Sequence, residues 1–185
     1  MARLNDFMVR ADLTPMVEYC REFGVPAVYE KGEAFVTEGS VCRYVGLVLS
    51  GYFKYSMLDT SGNERISGFG FENEIITDFV RSVQFGQPAW TSIVAGCRSE
   101  ILRVPLPDLL DYLAEHNPIY IANVSKHVLA EAYSRSLMML KLSPLERYQA
   151  LYPRLVDVID MIPIQELASF FGISRRQFQR IRSSK

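Results

Sequence analysis

The stretch "FFGISRRQFQRIRSSK", Phe170–Lys185, decides how the chain is read. Gly172 follows an apolar helix end and supplies the permissive backbone of a tight turn. Ser174 and Gln177 have capping-box spacing, so a new helix starts at "RRQFQRIR". Ala168 stands four residues before Gly172, where a small side chain lets two helices approach. Leu167, Phe171, Ile173, Phe178 and Ile181 fall where a tri-helical core needs apolar bulk. That leaves Ser174, Arg175, Arg176, Gln179 and Arg180 on the outer face of the second helix. The pattern predicts a helix-turn-helix, in which the second helix enters the major groove with its N-terminal residues at the base edges. Arginine suits this task because its fork bonds guanine O6 and N7 together. A bland basic hairpin would share the charge, but would not need the small residue, the turn glycine and the apolar spacing to agree with it.

Charge supports the same reading. Residues 141–185 hold eight Lys/Arg against four Asp/Glu, whereas the chain as a whole has formal net charge -1. A basic tail on an acidic body suits a polyanionic partner. At 185 residues and 49% hydrophobic content, one good core and a small second domain are expected. No apolar run is long enough to span a bilayer, and "MARLNDFMVRADL" has no signal-peptide core, so no membrane role is expected. Cys20, Cys42 and Cys97 stand far apart without a CxxC and read as reduced thiols of a cytoplasmic protein. No nucleophile–base pair, metal spacing or phosphate-cradling loop is evident, so no enzyme is expected.

Working back from the tail, Ser143, Pro144 and Glu146 form another capping box, and a helix is expected from there to about Asp160. Pro163 opens the next helix, and residues 143–185 then read as a DNA-binding domain. Before it, Asn117-Pro118 starts an unbroken helix to Lys141, about 35 Å long at 1.5 Å per residue. Ile121, Val124, Val128 and Ala132 share one stripe; Leu129, Tyr133, Leu137 and Leu140 share its neighbour. Two stripes bury a helix on two sides, one against the body and one against a second subunit. Residues 117–142 are therefore read as a dimerisation helix, with Ile121, Val124, Val128 and Ala132 assigned to the interface. Residues 1–116 are mostly strand. "PAVYE", "AFVTE", "RYVGLVLS", "YFKYSML", "ERISGFG", "TSIVA" and "EILRV" are short β-rich runs, several of them separated by turn glycines, which indicates a sandwich, roll or barrel. The fold class is α+β.

A β-rich body, a long helix and a C-terminal helix-turn-helix together resemble the Crp/Fnr family of bacterial transcription regulators. "YEKGEAFVTEGS", "YVGLVLSGYFKYS" and "DTSGNERISGF" are similar to the family's jelly-roll-like β-roll, including its Gly-x-Glu turn at Gly62 and Glu64. "GISRRQFQRIR" is similar to the recognition segment of the cyclic-AMP-responsive members. The resemblance matches Arg175 and Arg180 to two base-reading arginines, with Arg176 where a glutamate stands in those members. It implies a homodimer that binds an inverted repeat of double-stranded DNA with half-sites about 34 Å apart, and RNA polymerase as a possible partner.

Two departures qualify the resemblance. The family's β-hairpin wing has no evident counterpart around the two helices. In the effector pocket, cyclic-nucleotide binders hold the ribose with Gly-Glu and the phosphate with an arginine and a hydroxyl residue. Here Thr77-Asp78 stands for the first pair and Ala89-Trp90 for the second. Ala89 cannot neutralise a phosphate, and Arg81 is the one nearby replacement. Cyclic AMP is therefore not expected as effector, and no cofactor is expected. Three scattered cysteines do not suit an iron–sulfur cluster, and His116 and His127 read as ordinary helix residues and not as haem ligands. The alternative reading is a regulatory or protein-interaction subunit that keeps the roll but has lost sequence-specific DNA binding.

Overall fold

A computed structural model describes residues 4–183. Two helices, α1 (Asp6–Arg10) and α2 (Thr14–Phe23), precede an antiparallel β body. Its strands are β1 (Val25–Tyr29), β2 (Ala34–Val36), β3 (Tyr44–Ser50), β4 (Tyr52–Leu58), β5 (Glu64–Phe71), β6 (Ile75–Ile76), β7 (Ser92–Ala95) and β8 (Ser99–Pro105). They form two four-stranded sheets, in the orders β1-β8-β3-β6 and β2-β7-β4-β5. Each of the seven β-rich runs coincides with a strand; β6, two residues within "NEIITD", is too short to carry an alternation that sequence alone reveals. Among the described residues no strand follows β8.

Side-chain alternation sends each sheet's residues to two different cores. Val48, Phe53, Ile76, Ile93 and Ile101 fill the space between the sheets, with the rings of Tyr29 and Phe35 packed around Phe53. On the outer face of the first sheet, Val45, Leu47 and Val104 meet α2, α3 (Leu106–His116) and α4 (Tyr120–Lys141). On the outer face of the second, Tyr52, Ile66, Phe69 and Phe71 meet the C-terminal helices α5 (Pro144–Leu155), α6 (Ile164–Phe170) and α7 (Arg175–Ser183).

Three sequence expectations change in the structure. Helix α4 starts at Tyr120 and not at Pro118, because residues 117–119 form a turn after α3. Helix α5 stops at Leu155, short of Asp160. Pro153 sits in its last turn, where it lacks an amide donor and disfavours a helical predecessor. Most consequential is the stripe assigned to the dimer interface. Val124 is buried in its own subunit, and Ile121 and Val128 pack against the same core. Ala132 of that stripe is exposed, but the large apolar side chains that α4 leaves uncovered belong to the other stripe, with Leu129 70%, Tyr133 64% and Leu140 81% exposed. The helix turns the stripe of Ile121, Val124 and Val128 to its own body, where α2, α3 and the outer face of the first sheet present apolar side chains to it.

Candidate nucleic-acid interface and effector cavity

The pair α6–α7 is built from local signals. Helix α6 ends in a turn where the amide of Gly172 donates to the Ser169 carbonyl and that of Ile173 to the Ala168 carbonyl. Gly172 has φ +67°, the left-handed conformation that favours glycine at a helix end. A Cβ there would come within 2.6 Å of Met139 Cε, a flexible chain end that can move aside, so the backbone conformation and not space requires glycine. Ser174 and Gln177 make the reciprocal cap: the Gln177 amide donates to Ser174 Oγ at 3.2 Å and the Ser174 amide to Gln177 Oε1 at 3.0 Å. Phe178 and Ile181 are buried against Tyr148 and Phe171. The opposite face of α7 carries Ser174, Arg175, Arg176, Gln179 and Arg180, all exposed.

The arginines of this region divide into two sets. Arg154 pairs with Glu131 at 3.1 Å and Arg182 with Asp160 at 2.8 Å, while Arg147 is buried beneath the turn. Among the described residues, no carboxylate pairs with Arg175, Arg176 or Arg180. Three adjacent cations without internal partners make a surface that favours an anionic ligand. Ser174 differs from them, since its hydroxyl is occupied by the cap.

Helix α6 is locked to the roll by a polar cluster that sequence reading did not anticipate. Glu166, 8% exposed, accepts from Tyr52 Oη at 3.0 Å and from Lys54 Nζ at 3.1 Å. Burial works to lower the Lys54 pKa, but its hydrogen bonds and ion pairs with Glu64 and Glu166 outweigh this and raise it. The Tyr52 hydroxyl is pushed up by burial and by the charge of Glu166. Ser169 Oγ accepts from the Ile66 amide at 3.0 Å and donates to the Glu64 carbonyl at 3.1 Å. Phe170 packs on Phe69 with ring centroids 5.2 Å apart, and the Arg135 guanidinium lies over the other aromatic surface at 3.9 Å. The bonds from Glu166 and Ser169 to the roll each join residues more than 100 positions apart, so no local pattern announces them.

The pocket residues expected from the resemblance are dispersed. Asp78 is turned back on its own helical turn, Phe79–Val83, accepting from the Ser82 amide at 2.9 Å and from Ser82 Oγ at 2.8 Å. Thr77 is buried and donates to the Tyr44 carbonyl at 3.3 Å. Ala89 is buried beneath the same loop. Arg81 stacks over Trp90 at 4.6 Å and donates to the Pro88 carbonyl at 3.2 Å, on the outside. A cavity of about 310 Å³ does open between the roll, α1 and α4. Thr77, Asp78 and Trp90 reach its wall, joined by Phe7, Tyr55, Phe69, Val124, Val128 and Arg135; Arg81 and Ala89 do not. Arg135 was missed because its position on a helix gives no hint that the helix borders a cavity.

Residues 26–116 match the family model described as the cyclic nucleotide-binding domain. No curated protein sequence matches the chain. Among solved structures, FixK2 from Bradyrhizobium japonicum is similar at 15% identity and TM-score 0.73, over 87% of this chain and 83% of that one. The c-di-GMP responsive global regulator CLP from Xanthomonas campestris is similar at 13% identity and TM-score 0.66, over 95% and 90%. The Thermus thermophilus catabolite activator protein is similar at 20% identity and TM-score 0.56, over 91% and 81%.

Proposed function

The chain carries a domain of the cyclic nucleotide-binding family on a fold shared with Crp/Fnr regulators, and from that premise we propose that it is a dimeric, DNA-binding transcription regulator. The observation that carries this is the outer face of α7, where Arg175, Arg176 and Arg180 are exposed and without carboxylate partners. Two such faces related by a two-fold axis suit an inverted repeat with half-sites about 34 Å apart. The exposed stripe Leu129–Tyr133–Leu140 on α4 suits the two-fold contact. The roll then serves as the sensor. Its effector is not cyclic AMP in this reading, because Ala89 stands where the resemblance expects the phosphate's arginine, Arg81 is turned to Pro88 and Trp90, and Asp78 Oδ2 is already engaged by Ser82.

In vitro selection from random duplexes, followed by anisotropy titration at several salt concentrations, tests the reading. An inverted repeat should emerge, with affinity that falls steeply as salt rises. Arg180→Ala or Arg175→Ala should cost roughly 1–3 kcal/mol and relax one base pair per half-site. Selection that recovers no repeat would leave the protein-interaction alternative standing.

A further inference from the structure

We propose that the cavity between the roll and α4 binds an amphipathic carboxylate, with its hydrocarbon body on the apolar wall and its acid group on Arg135. The inference rests on the sensor reading above and names the class of molecule sensed. Most of the wall is hydrocarbon and aromatic: Phe7, Met8, Phe69, Phe79, Val124 and Val128 all face it. A wall of this kind contributes affinity through buried apolar area, whereas a sugar phosphate would leave its polar groups unmatched.

Three charged residues border the cavity, and their partners differ. Asp78 is engaged by Ser82. Glu131 is held by Arg154 at 3.1 Å and by Arg10 at 3.6 Å. Arg135 has no ion pair with a carboxylate among the described residues; its guanidinium carbon instead lies over the Phe170 ring, 3.9 Å from the centroid. Burial strips its water and lowers its pKa to about 10, against the opposing pull of Glu131. A partly desolvated cation whose nearby carboxylate, Glu131, is shared with two other arginines is costly, and an anion supplied by a ligand lowers that cost. The Phe170 contact is made at the guanidinium carbon, and the guanidinium's N–H fork is the group that a bidentate acid would take.

Size narrows the class further. A cavity of about 310 Å³ has the volume of about ten waters at roughly 30 Å³ each, which suits an acid of about ten non-hydrogen atoms. Medium-chain alkanoates and phenylalkanoates are of that size. Because Phe170 belongs to α6, an acid on Arg135 would bind a side chain that itself packs on the residue joining the helix pair to the roll.

Trp90, the chain's single tryptophan, lines the cavity and provides the readout. Octanoate, 3-phenylpropanoate and octan-1-ol are titrated against the full chain by fluorescence and by calorimetry. At least one acid should bind saturably below about 1 mM, and octan-1-ol about tenfold or more weakly, the worth of a hydrogen bond to a charged group. Arg135→Gln should bring the acid down to the level of the alcohol, and Arg135→Lys should restore part of the difference. Ala132→Phe, which narrows the cavity from an exposed helix position, should weaken acid and alcohol alike and serves if Arg135→Gln does not fold. Absence of saturable binding by both acids, equal binding of acid and alcohol, or indifference to Arg135→Gln and Ala132→Phe would each overturn the proposal. The two readings separate in a DNA titration with and without acid. Intact DNA binding without acid binding removes the ligand class alone, while acid binding that leaves DNA affinity unchanged keeps the site and removes the sensor.

Discussion

Glu74 shows how a single residue can carry a pH dependence that sequence does not disclose. It is 5% exposed, and its Oε2 accepts from Asn5 Nδ2 at 2.7 Å and from the Phe71 amide at 2.9 Å. Burial raises its pKa from 4.5 to about 7, although both hydrogen bonds pull it down. The folded state therefore holds a proton that the unfolded state has released, and stability falls as pH rises between those two values. Below the unfolded value the contribution is complete, and above about pH 7 it is gone. The loss is about 3 kcal/mol in total. Glu74→Gln keeps an acceptor for Asn5 and should abolish this slope, matching the wild type at pH 5 and exceeding it at pH 8. Urea melts at the two pH values check it; equal slopes in both proteins would remove Glu74 as the cause. In sequence, Glu74 is one of the acidic residues of "FENE", with nothing to mark it as the buried one. The α7 arginines were legible for the opposite reason: an exposed helical face is set by local periodicity, and packing does not alter it.

At the scale of elements, α4 shows both what periodicity reveals and where it stops. The double stripe predicted a helix buried on two sides, and α4 does cover its own body with one of them. Which stripe faced inward depended on the rotation of α4 against α2, α3 and the first sheet, which no pattern within the helix encodes. The exposed stripe sets the test. Leu129→Glu with Tyr133→Glu should convert a dimer into a folded monomer, with far-UV circular dichroism preserved and the mass halved in light scattering. A charge at Val128 is less informative, since it would also damage the subunit's own core. A wild type that scatters as a monomer at micromolar concentration would remove the two-fold interface altogether. The α6–α7 unit was more fully legible, because one reciprocal cap and a left-handed glycine define its turn within a few residues.

At the scale of the molecule, the roll and the C-terminal helices share one core. Tyr52, Ile66, Phe69 and Phe71 of the roll are buried in the same cluster as Tyr148, Leu151, Leu155, Phe170 and Phe178. Removing residues 143–185 would uncover that aromatic face, so a chain ending at 142 should aggregate or bind hydrophobic dye, while the full chain melts in a single calorimetric transition. A soluble truncated roll, or two separated transitions, would show instead that the C-terminal helices form an independent unit. Phe170→Ala should destabilise the whole by about 3–5 kcal/mol through lost packing. The sequence by itself determined the strand-sized runs, the long helix and the turn-linked helix pair with its basic outer face, because alternation, helical period and turn signals act over a few residues, whereas the pairing of the strands does not. Tertiary structure alone decided that Glu166 meets Tyr52 and Lys54, that Arg135 lies between a cavity and Phe170, and that Arg81 points away from the place it was expected to fill. Those outcomes join residues dozens of positions apart, and depend on how the sheets twist and which face each helix turns inward, which is fixed only when all the elements pack together.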